Sequence, residues 1–233
     1  YGFFSMKVVF SNFENFKKIF MININYSKWL VLSNVVQWGG GNFFLILTTT
    51  ILGSSFLGGL RIIQNFFGLF NVIFAALDNI FPIQFARLYN QKEFKKLNVY
   101  ILKILSIGVL VTILVILVYP LMKEIIIFIF SEKYVDFIYI YIWFAIITFF
   151  IYLNKVLVYL LRSVDFTLPI LISYFTNFIF SLSSANFLIQ TLKIDGTCLG
   201  LLIIQINMTV IILISIKFFK NDSTCYFRKV KAK

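Results

Sequence analysis

The chain has 233 residues, of which 61% are hydrophobic and 13% are charged, and its mean hydropathy is +0.94. Soluble domains carry about 25% charged residues, so this composition excludes a soluble domain and indicates a polytopic membrane protein. The formal charge of +12 does not indicate a nucleic-acid partner, because the basic residues stand between long apolar runs, where they set topology and meet anionic lipid.

Residues 1–28 precede the first long apolar run and mix Lys and Asn with apolar residues. We interpret them as a cytoplasmic, partly interfacial connector. The chain begins with Tyr1 rather than Met and shows no cleavable signal peptide. We therefore expect a fragment that begins inside a longer protein and transports nothing by itself.

Six segments are long and apolar enough to cross a hydrocarbon core of about 30 Å, which takes about 20 helical residues. They run approximately from Trp29 to Leu52, Phe56 to Phe85, Ile104 to Leu121, Phe137 to Leu161, Leu168 to Leu192 and Gly196 to Ile216. A shorter apolar run, 125–130, is expected at the outer interface or as an extension of the fourth helix. The sequence predicts an all-α, polytopic membrane helical bundle: a six-helix lobe over residues 29–219, then a basic cytoplasmic tail over 220–233.

The basic residues orient these segments. Seventeen of the 21 Lys and Arg residues fall at one end of the six predicted spans, and only Arg61, Lys123, Lys133 and Lys193 belong to the other. Because cytoplasmic loops carry an excess of Lys and Arg, we expect both termini of this multi-pass membrane protein in the cytoplasm.

The second span carries a polar stripe along an otherwise apolar helix. Its polar or small residues recur every three or four positions and so share one helical face: Arg61, Asn65, Gly68, Asn71, Ala75, Asp78 and Pro82. A carboxylate or amide facing hydrocarbon costs a few kcal/mol. This helix is therefore expected to line a polar interior through which cargo moves.

Two charges on the stripe have more than one interpretation. Asp78 stands nine residues before Arg87, about 13 Å into the membrane at about 1.5 Å per residue. Three roles fit its carboxyl group: it carries a coupling ion, it pairs with a basic group, or it is a structural carboxyl in the packed helix bundle. Arg61 lies near the outer rim, where it either snorkels or attracts an anion. If the cargo is an anion, an ionised Asp78 would repel it, and we then expect Asp78 to be protonated, bound to an ion or paired during transport.

The first, fourth and fifth spans carry weaker polar patterns. The QWGGGN sequence at residues 37–42 permits close helix contact or a kink, and Gln37 and Asn42 beside the glycines suggest a cavity wall. In the fourth span, Lys155 either snorkels or faces cargo. It shares a helical face with residues that could form a sugar-contacting wall: Tyr141, Thr148, Tyr152, Tyr159 and Arg162. In the fifth span, Ser173, Asn177, Ser181 and Ser184 are best explained by interhelical hydrogen bonds.

The residues of common catalytic sites are missing from the sequence. It has no histidine, and Cys198 and Cys225 fall in no metal-binding or redox spacing. The GSSFLGG segment after Leu52 lacks the Lys-Ser/Thr ending of a phosphate-binding loop. We expect no catalytic residue, no metal site and no cofactor.

Residues 28–90 resemble the opening of the second half of bacterial polysaccharide flippases, which export lipid-linked, O-antigen-type oligosaccharides. These belong to the multidrug/oligosaccharidyl-lipid/polysaccharide exporter superfamily. The resemblance rests on Lys28, Trp29, Gln37, Trp38, Gly53, Gly59, Leu60, Arg61, Gln64, Asn65, Gly68, Asn71, Val72, Asp78, Asn79, Pro82 and Arg87. The family often has glutamate where Asp78 stands, and beyond residue 90 only the number and spacing of spans agree.

The resemblance implies that the chain is the C-terminal lobe of a two-lobed transporter, with the lipid bilayer, a lipid-linked oligosaccharide and a missing N-terminal lobe as partners. The expected function is translocation of polyisoprenoid-diphosphate-linked oligosaccharide across the cytoplasmic membrane for polysaccharide and lipopolysaccharide synthesis. The alternatives are a cation-coupled multidrug or small-molecule exporter, a membrane glycan polymerase or ligase, and a membrane scaffold. The candidate substrate-binding residues are Arg61, Gln64, Asn65, Asn71, Asp78, Gln37, Asn42 and Lys155.

Overall fold

The structure, a computed structural model, describes residues 13–130, 132–164 and 166–230, apart from the side chains of some residues within those ranges. It contains six α-helices: α1 (Phe13–Leu52), α2 (Ser54–Asn90), α3 (Phe94–Leu117), α4 (Met122–Ile129), α5 (Ile140–Ser163) and α6 (Leu168–Val230). Short 3₁₀ turns over Tyr119–Leu121 and Glu132–Phe137 flank α4. No strand occurs in the described ranges. The all-α bundle predicted from the sequence is confirmed.

The last helix is a hairpin of two arms that meet at Lys193. Its backbone angles (φ 54°, ψ −128°) are not helical, and we call residues 168–192 α6a and residues 194–230 α6b. The arms run antiparallel, since the Asn177 side-chain amide in α6a donates to the Ile204 carbonyl in α6b at 3.1 Å. Each of the six predicted spans thus has its own helical segment.

Within the described residues, four helical stretches are long and apolar enough to cross a membrane: Val31–Leu52, Phe94–Ile129, Tyr134–Ser163 and Leu168–Phe218. The last contains both arms of the α6 hairpin. Helix α2 is long enough, at 37 residues, but its composition does not place it among these four. On α3, Val99, Leu102, Leu114 and Leu117 are exposed, as expected of side chains that face lipid.

The structure adds detail at two places. Helix α1 begins at Phe13, so residues 13–28 of the predicted connector are helical and continuous with the first span, while residues 1–12 lie outside the described ranges. The run 125–130 falls in α4, which ends before the turn that precedes α5. It is therefore a separate short helix and does not extend the fourth span.

The turns between helices sort into two ends of the bundle. The turn at Gly53 lies beside the turn at Lys193, because the hydroxyls of Thr48 and Thr197, one turn away from each, are 2.7 Å apart. The α2–α3 turn (91–93) and Val164, where the connection from α5 to α6 begins, follow full crossings and lie at the opposite end. The structure therefore groups the loops into the same two sets that the sequence assigned to the two sides of the membrane.

We expect a membrane-impermeant thiol reagent, added to intact cells, to label a Lys193→Cys variant but not a Lys95→Cys variant. The reason is the excess of basic residues at the 91–93 end, which favours the cytoplasm. Labelling is measured in a Cys225→Ser background, because Cys198 is fully buried and does not react from outside. Labelling of Lys95→Cys in intact cells would contradict the orientation.

Tyrosines hold α3 against α5. The Tyr141 hydroxyl donates to the Val115 carbonyl and the Tyr152 hydroxyl donates to the Ile104 carbonyl, each at 2.9 Å. Gly108 makes room for the Tyr152 ring, which a Cβ at that position would overlap. Both tyrosines are buried. They therefore belong to helix packing, and the aromatic wall expected along one face of α5 does not extend to them.

A candidate ligand cavity with an internal ion pair

A polar cavity of about 420 Å³ opens between α1, α2, α5 and both arms of α6. Its wall combines charged groups, amides and glycine backbone with a few apolar side chains. The lining residues are Gln37, Gly40, Gly41, Asp78, Ile151, Asn154, Lys155, Val158, Tyr159, Arg162, Tyr174, Asn177, Ile204, Gln205 and Met208. A space of this size and polarity inside an apolar bundle is a typical ligand site.

An ion pair between two helices stands in the cavity wall. The Lys155 ammonium on α5 lies 3.0 Å and 3.1 Å from the two carboxylate oxygens of Asp78 on α2. The ammonium also lies 5.7 Å from the centre of the Phe74 ring, a cation–π distance. Both side chains remain partly exposed, Lys155 at 33% and Asp78 at 41%. The pair is therefore open to exchange with a ligand.

A hydrogen-bond network fixes the α5 wall beside this pair. The buried Asn154 amide donates to the backbone carbonyl of Gln205 at 2.9 Å and to its side-chain oxygen at 3.0 Å. The Thr209 hydroxyl donates to the Asn154 side-chain oxygen at 2.8 Å. Buried amides are costly unless they are paired, so this network holds α5 to α6b at the level of the cavity.

Glycines bring α1 close to α6a at the opposite wall. The Ser181 hydroxyl donates to the Gly40 carbonyl at 2.7 Å, and a Cβ at Gly39 would meet the Phe178 ring at 2.7 Å. Gly41 lines the cavity and has open space where a Cβ would stand. The triple glycine thus provides both helix contact and cavity wall. The interhelical role expected of the fifth-span stripe is confirmed for Asn177 and Ser181.

Tyr159 is 6% exposed and contributes a hydroxyl that has no hydrogen-bond partner among the described residues. We expect Tyr159→Phe to be neutral or to stabilise the chain by about 1 kcal/mol, because it removes an unsatisfied buried group. Tyr152→Phe is the matched control: its hydroxyl is paired, so its loss is expected to destabilise by about 1 kcal/mol. The melting temperatures of both variants in detergent measure the difference. A larger fall in melting temperature for Tyr159→Phe than for Tyr152→Phe would contradict this expectation.

The structure brings together some of the candidate residues and separates others. Gln37, Asp78 and Lys155 share the cavity, although they come from three helices. The remaining candidates are absent from its wall: Arg61, Gln64, Asn65 and Asn42. The backbone of Asn71 lies in α2, but its side chain is outside the described part of the chain.

The residues outside the cavity have local contacts. Arg61 is exposed and donates to the Gln64 side-chain oxygen at 2.9 Å. It precedes Asp78 on the same helix by about 25 Å at about 1.5 Å per residue. The Asn42 amide donates to the Trp38 carbonyl one turn earlier. Among the described side chains of the α2 stripe, Asp78 alone lines the cavity.

Sequence reasoning missed the amides Asn154 and Gln205 and assigned Asn177 to packing alone. A signal was present for two of them: Asn154 precedes Lys155 inside an apolar helix, and Gln205 is one of two amides in the last span, with Asn207. Single polar residues within membrane segments often serve function. Neither stands in a long polar stripe: the positions three and four residues from Asn154 are all apolar, and Gln205 has only Thr209 as a polar neighbour at that spacing.

The charges of the wall favour an anionic ligand. Among its described residues, Lys155 and Arg162 are cations and Asp78 is a carboxylate, which leaves one positive charge in excess. Amides and the Tyr174 hydroxyl add neutral donors and acceptors. In the described part of the chain, no group of three or more His, Cys, Asp or Glu residues could hold a metal ion. The geometry fits binding of a charged, hydroxylated molecule.

A family model, MatE, matches residues 30–186, which is more than half of the chain. The match covers α1 from Leu30, α2 to α5 and most of α6a, and so includes three of the helices that form the cavity and most of a fourth segment. No curated protein and no solved structure matches the chain.

Proposed function

The chain belongs to the MatE family, whose members are transporters, and from this premise we propose that it moves polyisoprenoid-diphosphate-linked oligosaccharide across the bacterial cytoplasmic membrane. The observation that carries the proposal is the polar cavity with one excess positive charge. A diphosphate requires cations and a glycan requires many hydrogen-bonding groups. The wall offers both, and apolar helices surround it.

The proposal includes alternating access between two lobes. An exposed face of α1 and α2 carries amides and an indole: Asn34, Gln37, Asn65 and Asn79 are exposed, and Trp38 is 61% exposed. Amides are poorly solvated by lipid tails, so this face needs a protein or aqueous neighbour. We propose that an N-terminal lobe covers it and that the cavity opens between the lobes.

A cation-coupled exporter of drugs or other small molecules is the second candidate, since the family match fits it equally. The observation that favours it is the Asp78 carboxylate in the cavity wall. Against it, the Lys155 ammonium already occupies the position of a counter-cation at this carboxylate. Membership in a family of transporters leaves a glycan polymerase or ligase without support.

Deletion of the encoding gene in its host tests the proposal. We expect loss of surface polysaccharide and accumulation of lipid-linked oligosaccharide in the inner leaflet, both restored by the intact gene. Surface glycan is measured by antibody or lectin labelling, and the intermediate by extraction and mass spectrometry. Unchanged surface glycan together with raised drug sensitivity would overturn the flippase and favour the exporter.

A further inference from the structure

The ion pair between Asp78 and Lys155 does more than join two helices. Both partners line the cavity and are about one-third to two-fifths exposed, so a ligand in the cavity reaches the ammonium directly. Asp78 is the only carboxylate among the described lining residues. The carboxylate therefore occupies the position that an anionic ligand would take beside Lys155.

A second cation completes a site for such a ligand. Arg162 lines the same cavity seven residues after Lys155 on α5, about 10 Å further along the helix. Lys155 and Arg162 both belong to helix α5 and not to a loop. Guanidinium and ammonium groups are the usual protein partners of phosphate oxygens. The ligand class is therefore an anion of the phosphate or diphosphate type.

The Asp78 carboxylate stands one helical turn before a proline in α2. Pro82, inside α2, has no N–H and cannot donate the helical hydrogen bond to the carbonyl of Asp78, four residues earlier. Proline at such a position permits a kink. On the other side, Asn154 next to Lys155 is bound to Gln205 and Thr209 on α6b. The ion pair thus joins a wall that contains a proline to a wall that side-chain hydrogen bonds hold to α6b.

We propose that Asp78 is an internal competitor for the anionic group of the ligand: a phosphate-type anion binds Lys155 and Arg162 by displacing the Asp78 carboxylate. This inference rests on the proposed function only in that the cargo is anionic. It assigns opposite roles to the two halves of one ion pair. Lys155 binds the anion, and Asp78 weakens that binding, so that the anion is released again when the pair re-forms.

The test is equilibrium binding of inorganic pyrophosphate to the purified chain in phosphatidylcholine nanodiscs at constant low ionic strength. Asp78→Asn removes the competitor with little change in shape, and we expect its affinity to rise about three- to tenfold. Lys155→Gln is expected to lower the affinity by at least as much. Glu93→Gln is the matched control, because it breaks the surface pair of Glu93 with Lys96 and is expected to change nothing.

A phosphate group could also come from a lipid headgroup, and a second arm separates the two sources. The same titrations are made in phosphatidylglycerol nanodiscs. A rise in affinity for Asp78→Asn in both bilayers supports exchange with a soluble diphosphate. A rise in phosphatidylcholine with no pyrophosphate binding in phosphatidylglycerol supports exchange with an anionic headgroup.

Equal or weaker binding by Asp78→Asn than by the unchanged chain overturns the proposal, as does an equal rise for Glu93→Gln. If Lys155→Gln does not fold, the isosteric Asp78→Asn variant still decides the outcome. The binding assay involves no transport. If Asp78→Asn raises and Lys155→Gln lowers the affinity for pyrophosphate, but the gene supports no glycan export in its host, the flippase proposal fails and the anion exchange stands. Glycan export without these two affinity shifts would refute only the exchange.

Discussion

Replacing Gly196 with alanine is expected to destabilise the chain by about 3 kcal/mol or more. Gly196 follows the turn of the α6 hairpin, where α6b leaves α6a. A Cβ at this position would overlap the backbone carbonyl of Leu188 on the opposite arm. Because the obstacle is backbone and not a flexible side chain, the arms must separate to admit the methyl group. The free energy of unfolding in detergent and the yield of folded protein measure the loss.

Gly68→Ala is the control for this prediction. Gly68 is also helical, but in the described part of the chain no heavy atom lies within 4 Å of the position of its Cβ, apart from its two chain neighbours and the backbone of its own helix. Alanine is expected there to be neutral or to stabilise by about 0.5–1 kcal/mol, because it restricts the unfolded chain. Equal stability of the Gly196→Ala and Gly68→Ala variants would show that α6a and α6b are not in close backbone contact at Gly196.

Replacing Lys155 with methionine is expected to reduce glycan export by about tenfold or more, equivalent to about 1.4 kcal/mol or more. The change removes a cation from the cavity and leaves the Asp78 carboxylate facing anionic cargo without its partner. Surface glycan per copy of membrane-inserted protein is the measurement. Lys96→Met is the matched control, since Lys96 is exposed and pairs only with Glu93 three residues earlier in the described structure.

Arg61→Gln provides a second comparison in the same assay. The sequence stripe predicts reduced export for this variant, whereas the structure places Arg61 outside the cavity, in contact with Gln64. A smaller loss than for Lys155→Met would place the main anion contact in the cavity. Normal export by Lys155→Met, at a normal protein level, would contradict a role for this ammonium in transport.

The sequence by itself determined the helices and which residues share a face. Apolar length and helical periodicity are local properties, so the six segments, the stripe of α2 and the polar positions Gln37, Asp78 and Lys155 could be read from residue spacing. The excess of basic residues in alternate loops gave a consistent orientation. Residue spacing left open how far the first helix extends into the connector and whether α4 is a separate helix, because neither region has an apolar run of membrane length.

Only the tertiary structure decided which polar faces meet. Asp78 and Lys155 are 77 residues apart in the chain, and Asn154 and Gln205 are 51 apart. Their contacts depend on how α2, α5 and α6b pack, and periodicity within one helix carries no information on its neighbour or on rotation against it. For the same reason, the stripe of α2 by itself predicted one continuous cargo path from Arg61 to Asp78, although Arg61 lies outside the cavity. Packing buries Tyr141 and Tyr152 of α5 against α3, and it brings Asp78 and Lys155 together in the wall of the polar cavity.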